Sequence, residues 1–192
     1  MNKEEKIEGY ELLNLQLKAL LSEQNYTLSN LANASSLLWS FLPEQVYTGF
    51  YLYNGEKLIL GPFQGSVSCV EIIMGKGVCG ESAQNRQTII VENVKKHKNY
   101  ISCDGRAMSE IVVPMVKDGK LVGVLDLDSS EIGFYDEIDQ KYLEEFANIL
   151  CEMTDFKFCV SNSPKTQTGF LDHFVFAAKS NFSCKRSAGT TF

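Results

Sequence analysis

The chain has 192 residues, is 44% hydrophobic and 22% charged, and carries a formal net charge of -6. That apolar share is enough for a buried core and excludes a chain disordered along most of its length. The acidic balance excludes the basic footprint that nucleic-acid phosphates require. No apolar run reaches the length of a membrane span, and no apolar stretch follows the charged start MNKEEKIEGYELL to make a secretory signal. The expectation is a cytoplasmic protein with reduced thiols, without nucleic-acid or membrane partners.

In chain order, Tyr10, Leu13, Leu17, Leu20 and Leu21 recur at helical spacing and predict a helix over about 4–22. A second helix is predicted over about 26–40, capped by Asn25, with Leu28, Leu31, Leu37, Leu38 and Phe41 as its apolar face. Asn54-Gly55 separates VYTGFYLY from EKLILG, and Asp118-Gly119 separates EIVVPMVK from KLVGVLDLD. Such pairs between apolar runs mark hairpins, because both turn residues accept positive φ. Between the hairpins the reading is a strand at about 67–73, a short helix from near Val78–Gly80 to Gln84, and a strand at 88–91. Residues 92–109 are polar and aperiodic, which predicts a long loop of the kind that carries function. The last helix is predicted over about 136–153, with Asp136 as its cap and Ile138, Tyr142, Leu143, Phe146, Ile149 and Leu150 as its buried stripe. From 155 onward periodicity is lost, and two acids stand against five bases. Residues 1–154 are therefore expected to form the domain, with 155–192 a tail that is weakly ordered or not native.

Helices, then hairpins around a short helix, then a helix, fit an α+β fold. The expected layout is a single domain with a central antiparallel sheet and helices packed mainly on one face.

Strand alternation puts Val46, Thr48, Phe50 and Leu52 on one face and Tyr47, Gly49, Tyr51 and Tyr53 on the other. The tyrosine face either lines a polar-tipped pocket or is a half-buried sheet face. Asp126 and Asp128 share one face of their strand, roughly 7 Å apart. They either hold an ammonium group or donate a proton from a raised pKa, or the strand has reached solvent there. With Asp118-Gly119 as a two-residue turn, Glu110 lies opposite Leu127, on the wrong face to join them. It joins them only through a bulge at Pro114 or by curling off the strand mouth.

Six cysteines need a reason in a reducing compartment. Cys79 stands close to a helix start, where the dipole favours a thiolate. Cys103 lies in the long loop, followed by Asp104, which disfavours its thiolate, and by Arg106, which favours it, so the sequence does not rank its pKa. Cys69 sits in a strand. Each of the three is otherwise a small buried hydrophobe. A zinc site from Cys69, Cys79, Cys103 and His97 is weighed and set aside, because the spacings are long and no C-x-x-C pair exists, so no metal is expected. His97 reads as a solvated loop residue, and Cys151, Cys159 and Cys184 as incidental.

GPFQG, GKGVCG, CDGRAMSEIVVP and GVLDLDS occur in this order within about residues 8–153. Together they resemble the free methionine-(R)-sulfoxide reductases, which are built on a GAF domain. The resemblance implies a thiol enzyme in which Cys103 attacks the sulfoxide sulfur and becomes a sulfenic acid. Cys69 or Cys79 then condenses with it to a disulfide, Cys69 being the favoured candidate, and an external dithiol such as thioredoxin reopens the bond. It further implies that Glu110, Asp126 and Asp128 are the acids of the substrate site, that Tyr47 and Tyr51 pack around the sulfur and methyl group, that no cofactor is bound, and that the chain pairs as a homodimer. Some relatives carry tryptophan where Tyr47 stands. The competing reading is a GAF small-molecule-binding or redox-sensing module without turnover.

Overall fold

The hairpin turns form where the turn residues stand, by two different devices. In the computed structural model, which describes residues 2–21, 26–101 and 104–156, Asp118 and Gly119 both take positive φ (50° and 73°). At the other turn only Gly55 does, at 100°. Asn54 acts there through its side chain, whose Oδ1 accepts from the backbone N–H of Glu56 and Lys57 at 3.0 and 2.9 Å.

The elements are α1 (Lys3–Leu21), α2 (Thr27–Phe41), β1 (Gln45–Tyr53), β2 (Lys57–Gly65), β3 (Glu71–Ile73), α3 (Gly77–Asn85), β4 (Ile89–Val91), a single 3-10 turn (Val94–Lys96), β5 (Ser109–Lys117), β6 (Lys120–Ser129) and α4 (Glu137–Met153). The six strands form one sheet in the order β3-β2-β1-β6-β5-β4, with every neighbouring pair antiparallel.

Period-two alternation splits the apolar residues between the two faces. Phe50, Ile111, Val113, Met115, Leu125 and Leu127 pack with the buried stripes of α1, α2 and α4. Tyr47, Tyr51, Leu58, Ile72, Val112 and Val124 pack on the other side with Val78, Cys79 and Ala83 of α3. Three helices thus cover one face. The short α3 and residues 94–101 lie over the other, where β1 directs its tyrosines as the alternation requires.

Several boundaries differ from the sequence reading. Leu20 and Leu28, expected inside, are 47% and 53% exposed, while Asn14, Ala34 and Ser35 are buried in their place. The residue capping α2 is Tyr26, with no side-chain cap bond, and Asn25 lies outside the described residues. The strand after Gly65 is only three residues long, so Cys69 precedes it.

The α4 cap forms as expected. Asp136 accepts from the N–H of Ile138 and Asp139, and Asp139 returns the bond to the Asp136 N–H. Asp139 also accepts from Lys6 Nζ at 2.6 Å and the Tyr10 hydroxyl at 2.7 Å, which fixes α1 onto α4. Beyond α4, the Thr27 hydroxyl donates to the Asp155 carbonyl and Phe156 packs into the core, 2% exposed. The rest of the expected tail, 157–192, lies outside the described residues.

Among the described residues, no helix is long and apolar enough to cross a membrane.

Candidate active site

The acids meet because of one extra residue in β6. From the Asp118-Gly119 turn the pairing runs Lys117↔Lys120 and Val116↔Leu121, then jumps to Met115↔Gly123. Val122 is the bulged residue, so the irregularity lies on β6 and not at Pro114, which pairs normally with Val124. From there on the register is shifted by one. Glu110 stands opposite Asp128 and Val112 opposite Asp126, which reverses the wrong-face placement that an unbroken hairpin predicts.

On the other flank, Tyr47 pairs with Asp128 and Gly49 with Asp126. Two rows therefore cross the centre of the sheet, Tyr47–Asp128–Glu110 and Gly49–Asp126–Val112. Gly49 is required here. A Cβ at this position would come within 2.3 Å of the Phe63 Cβ and 2.9 Å of the Tyr47 hydroxyl.

The three acids of these rows form the floor of a small cavity of about 30 Å³, room for about one water. Glu110, Asp126, Asp128 and Tyr51 line it from the sheet, Gly77, Val78 and Cys79 from the start of α3, Ser68 from the β2–β3 connection, and Tyr100 and Ile101 from the long segment. Tyr51 and Ser68 share a hydroxyl–hydroxyl bond of 2.7 Å. Tyr47 stacks on Phe63 with centroids 5.3 Å apart and on Tyr51 at 6.2 Å.

The electrostatics follow from putting three carboxyls into this space. Burial, opposed by hydrogen bonds from Cys79 and Glu110, pushes the Asp126 carboxyl up to about 7. Burial first, then the charge of Asp126 and Asp128, raises Glu110 well above its ordinary value, and burial with the Asp126 charge does the same to Asp128. The cluster shares protons at neutral pH instead of carrying three charges. Burial also raises the hydroxyls of Tyr47 and Tyr51, with Asp126 the next cause for each. Two buried polar atoms of this group, Asp126 Oδ1 and the Tyr47 hydroxyl, have no hydrogen-bond partner.

The cysteines separate. Cys79 is a buried free thiol, and burial together with the Asp126 and Glu110 charges raises its pKa well above the ordinary thiol value. The thiolate expected from the helix dipole is overturned, because two carboxyls and desolvation outweigh half a charge at the start of a short helix. Cys69 is disulfide-bonded. Cys103 lies outside the described residues. Cys151, the other free thiol described, is buried in α4 and held at about 12 by that burial.

Matching the chain to known proteins gives a GAF domain over residues 35–150. The free methionine-R-sulfoxide reductase of Saccharomyces cerevisiae is 42% identical over 165 residues, which is 82% of this chain and 90% of the yeast protein. The Escherichia coli protein of the same name is 38% identical over 155 residues, covering 79% and 94%. This chain belongs to the free methionine-R-sulfoxide reductase family. In three dimensions it resembles the Neisseria meningitidis free methionine-R-sulfoxide reductase solved in complex with its substrate, with a TM-score of 0.73 and 36% identity over 75% of this chain and 87% of that one.

Within this GAF reductase fold, several neighbours of the acids carry no signal in the sequence reading. Ser68 falls within the strand expected at 67–73, but the observed strand starts at Glu71. Tyr100 and Ile101 fall in the aperiodic segment. That segment is tied to α3 by Asn99, which donates to the carbonyls of Gly75 and Gly77 at 3.0 and 3.4 Å and to Glu81 at 3.3 Å. His97 joins this tie, 3.2 Å from Glu81, and is not merely solvated. Asp104 forms an ion pair with Arg106 at 2.8 Å, which holds its carboxyl well below the usual range, and the Arg106 guanidinium reaches the Ser66 hydroxyl. The Asp-x-Arg spacing is the one clue to that pair.

Proposed function

We propose that this chain reduces free methionine-(R)-sulfoxide to methionine at the cavity floored by Glu110, Asp126 and Asp128. The observation that carries the reading is the carboxyl trio lining one cavity, which the β6 bulge brings onto one face and whose ordinary acidity burial weakens. A sulfoxide oxygen leaves only when protonated, and a carboxyl held near 7 is matched to give up that proton. The same acids, once ionised, accept the ammonium of a free amino acid. The first N–H groups of α3, beside Val78 and Cys79, are offered to the substrate carboxylate. Tyr47 and Tyr51 pack the methyl and sulfur end.

In the chemical step the Cys103 thiolate forms a bond to the sulfoxide sulfur and the cluster protonates the oxygen. Methionine leaves as the oxygen passes to Cys103 as sulfenic acid. The Cys69 thiol then attacks, water leaves, and a disulfide forms. A dithiol of the thioredoxin class returns both thiols and takes up the disulfide itself. Cys69 suits the resolving role because it already takes part in a disulfide. Cys79 suits it poorly, because its thiol is buried and hydrogen-bonded to Asp126. The cavity is far smaller than methionine sulfoxide, so entry requires Tyr100 and Ile101 to move aside. The pocket that then closes on both the ammonium and the carboxylate excludes peptide-bound substrate.

The test is NADPH consumption in a thioredoxin-coupled assay with the free (R) sulfoxide, the free (S) sulfoxide and an N-acetylated (R) form. Turnover of the free (R) form alone, abolished in Cys103→Ser, is expected. Equal turnover of the N-acetylated form overturns the substrate assignment. Absence of turnover with all three favours a binding or sensing module.

A further inference from the structure

Cys79, a thiol to which the reductase chemistry gives no role, forms a donor set with two acids of the proposed substrate site, Glu110 and Asp126. Taking one donor atom from each residue, the three lie within 4.8 Å of one another, and all three residues are buried. A tetrahedral zinc ion with bonds of about 2.0–2.3 Å keeps its ligands roughly 3.3–3.8 Å apart. The set needs to contract by about an ångström, which small rotations of two carboxylates on neighbouring strands supply.

Two separate observations point to a ligand at this place. Asp126 Oδ1 has no hydrogen-bond partner although the residue is 5% exposed. The Tyr47 hydroxyl, on a side chain 2% exposed, is likewise unpartnered, and Asp126 and Cys79 are among its electrostatic neighbours. Buried polar groups are rarely left this way unless something visits them.

The geometry points to a site for one zinc-class divalent cation in the reduced protein, held by Cys79 Sγ and one oxygen each from Glu110 and Asp126. A fourth position faces the cavity and is left for water. On binding, Cys79 releases its thiol proton to solvent and no electrons move. One thiolate with two carboxylates is a borderline-soft set, which favours zinc over magnesium or calcium. This is not the set considered from the sequence. Neither Cys69 nor His97 is among the three clustered donors, and His97 pairs with Glu81. The cation occupies the space the substrate needs, so zinc inhibits turnover. That consequence rests on the proposed reductase reading, whereas the binding itself does not.

The experiment uses the full chain, reduced and stripped of metal, titrated with zinc by calorimetry and with cobalt by absorption. Wild type, Cys79→Ser, Asp126→Asn, Glu110→Gln, Cys69→Ser and Cys103→Ser are compared. Wild type, Cys69→Ser and Cys103→Ser are expected to bind one ion in this site and to show a thiolate-to-cobalt charge-transfer band. Cys79→Ser is expected to lose the band, and Cys79→Ser, Asp126→Asn and Glu110→Gln to lose at least tenfold in affinity. If metal-free Cys79→Ser fails to melt cooperatively, the two isosteric carboxamides decide. Retention of full affinity by the carboxamides, retention of the band in Cys79→Ser, loss of it in Cys69→Ser or Cys103→Ser, or absence of binding in wild type each overturns the site. Calorimetry reads all of these whether or not the protein reduces methionine sulfoxide.

Discussion

Replacing Asp126 by Asn removes a function-bearing strain and should make the protein more stable. The carboxyl titrates at about 7 in the folded chain against an ordinary 3.8, because burial raises it more than the hydrogen bonds from Cys79 and Glu110 lower it. Between those two values the folded state keeps a proton that the unfolded state has lost. Stability therefore falls with rising pH at about 1.4 kcal/mol per pH unit through this window and levels off above about 7. The full cost approaches about 4 kcal/mol, as an upper bound, because the neighbouring acids share the proton. Asn cannot titrate, yet it keeps an oxygen to accept from Cys79 and Glu110. Urea unfolding of the reduced proteins at several pH values from 4 to 8 measures the difference. Near pH 4 the two should be close. By pH 7.5 the Asn variant should be more stable by a few kcal/mol, with turnover largely lost. Parallel pH profiles for wild type and Asp126→Asn, or an Asn variant less stable at pH 7.5, refute the claim that Asp126 is a strained proton reservoir.

Other outcomes follow from the same geometry. In the reductase assay, kcat/KM should fall above about pH 7 as Asp126 loses its proton, and this limb should vanish in Asp126→Asn; a flat profile to pH 9 counts against the proton-donor role. Cys69→Ser should accumulate a sulfenic acid trappable by dimedone after one turnover, while Cys79→Ser should still form the disulfide; the reverse pattern exchanges their roles. Gly49→Ala forces a Cβ onto Phe63 and the Tyr47 hydroxyl, so it should cost roughly 1–3 kcal/mol in chemical unfolding and raise KM. Lys6→Met leaves the Asp139 carboxylate with only Tyr10 and the Asp136 N–H, and should cost several kcal/mol with little change in KM, since the ion pair lies on the helix face of the sheet.

Alternation carried the reading of the sheet a long way. The partition of Val46 through Tyr53, the two hairpins, the α4 cap and the pairing of Asp126 with Asp128 on one face all follow from period two, turn chemistry and capping, which are local rules. Glu110 marks where local rules stop. Its face depends on Val122 being bulged, and KLVGVLDLD looks like an unbroken strand, with Gly123 the one hint that β6 passes close to the Tyr51 carbonyl, 2.3 Å from where a Cβ would stand. Leu20 and Leu28 are exposed because the packing of α1, α2 and α4, set by partners far along the chain, selects a face slightly rotated from the most apolar one. The protonated state of Cys79 differs from the sequence expectation for the same reason. The helix start is visible in the sequence, but the two carboxyls that hold its proton come from strands about thirty and nearly fifty residues away. The family itself is legible in the order of GPFQG, GKGVCG, the SEIVVP run and GVLDLDS; the last three line the cavity, and Phe63 of the first stacks on Tyr47.

The central claim is that the chain itself transfers oxygen from free methionine-(R)-sulfoxide to a thiol. The most direct test mixes the fully reduced protein with the free (R) sulfoxide, with no external reductant, and measures methionine released and the disulfides formed. The account predicts about one methionine per chain, matched by one new disulfide containing Cys69, and neither product from Cys103→Ser. No methionine from reduced wild-type protein, or equal release from Cys103→Ser, contradicts it.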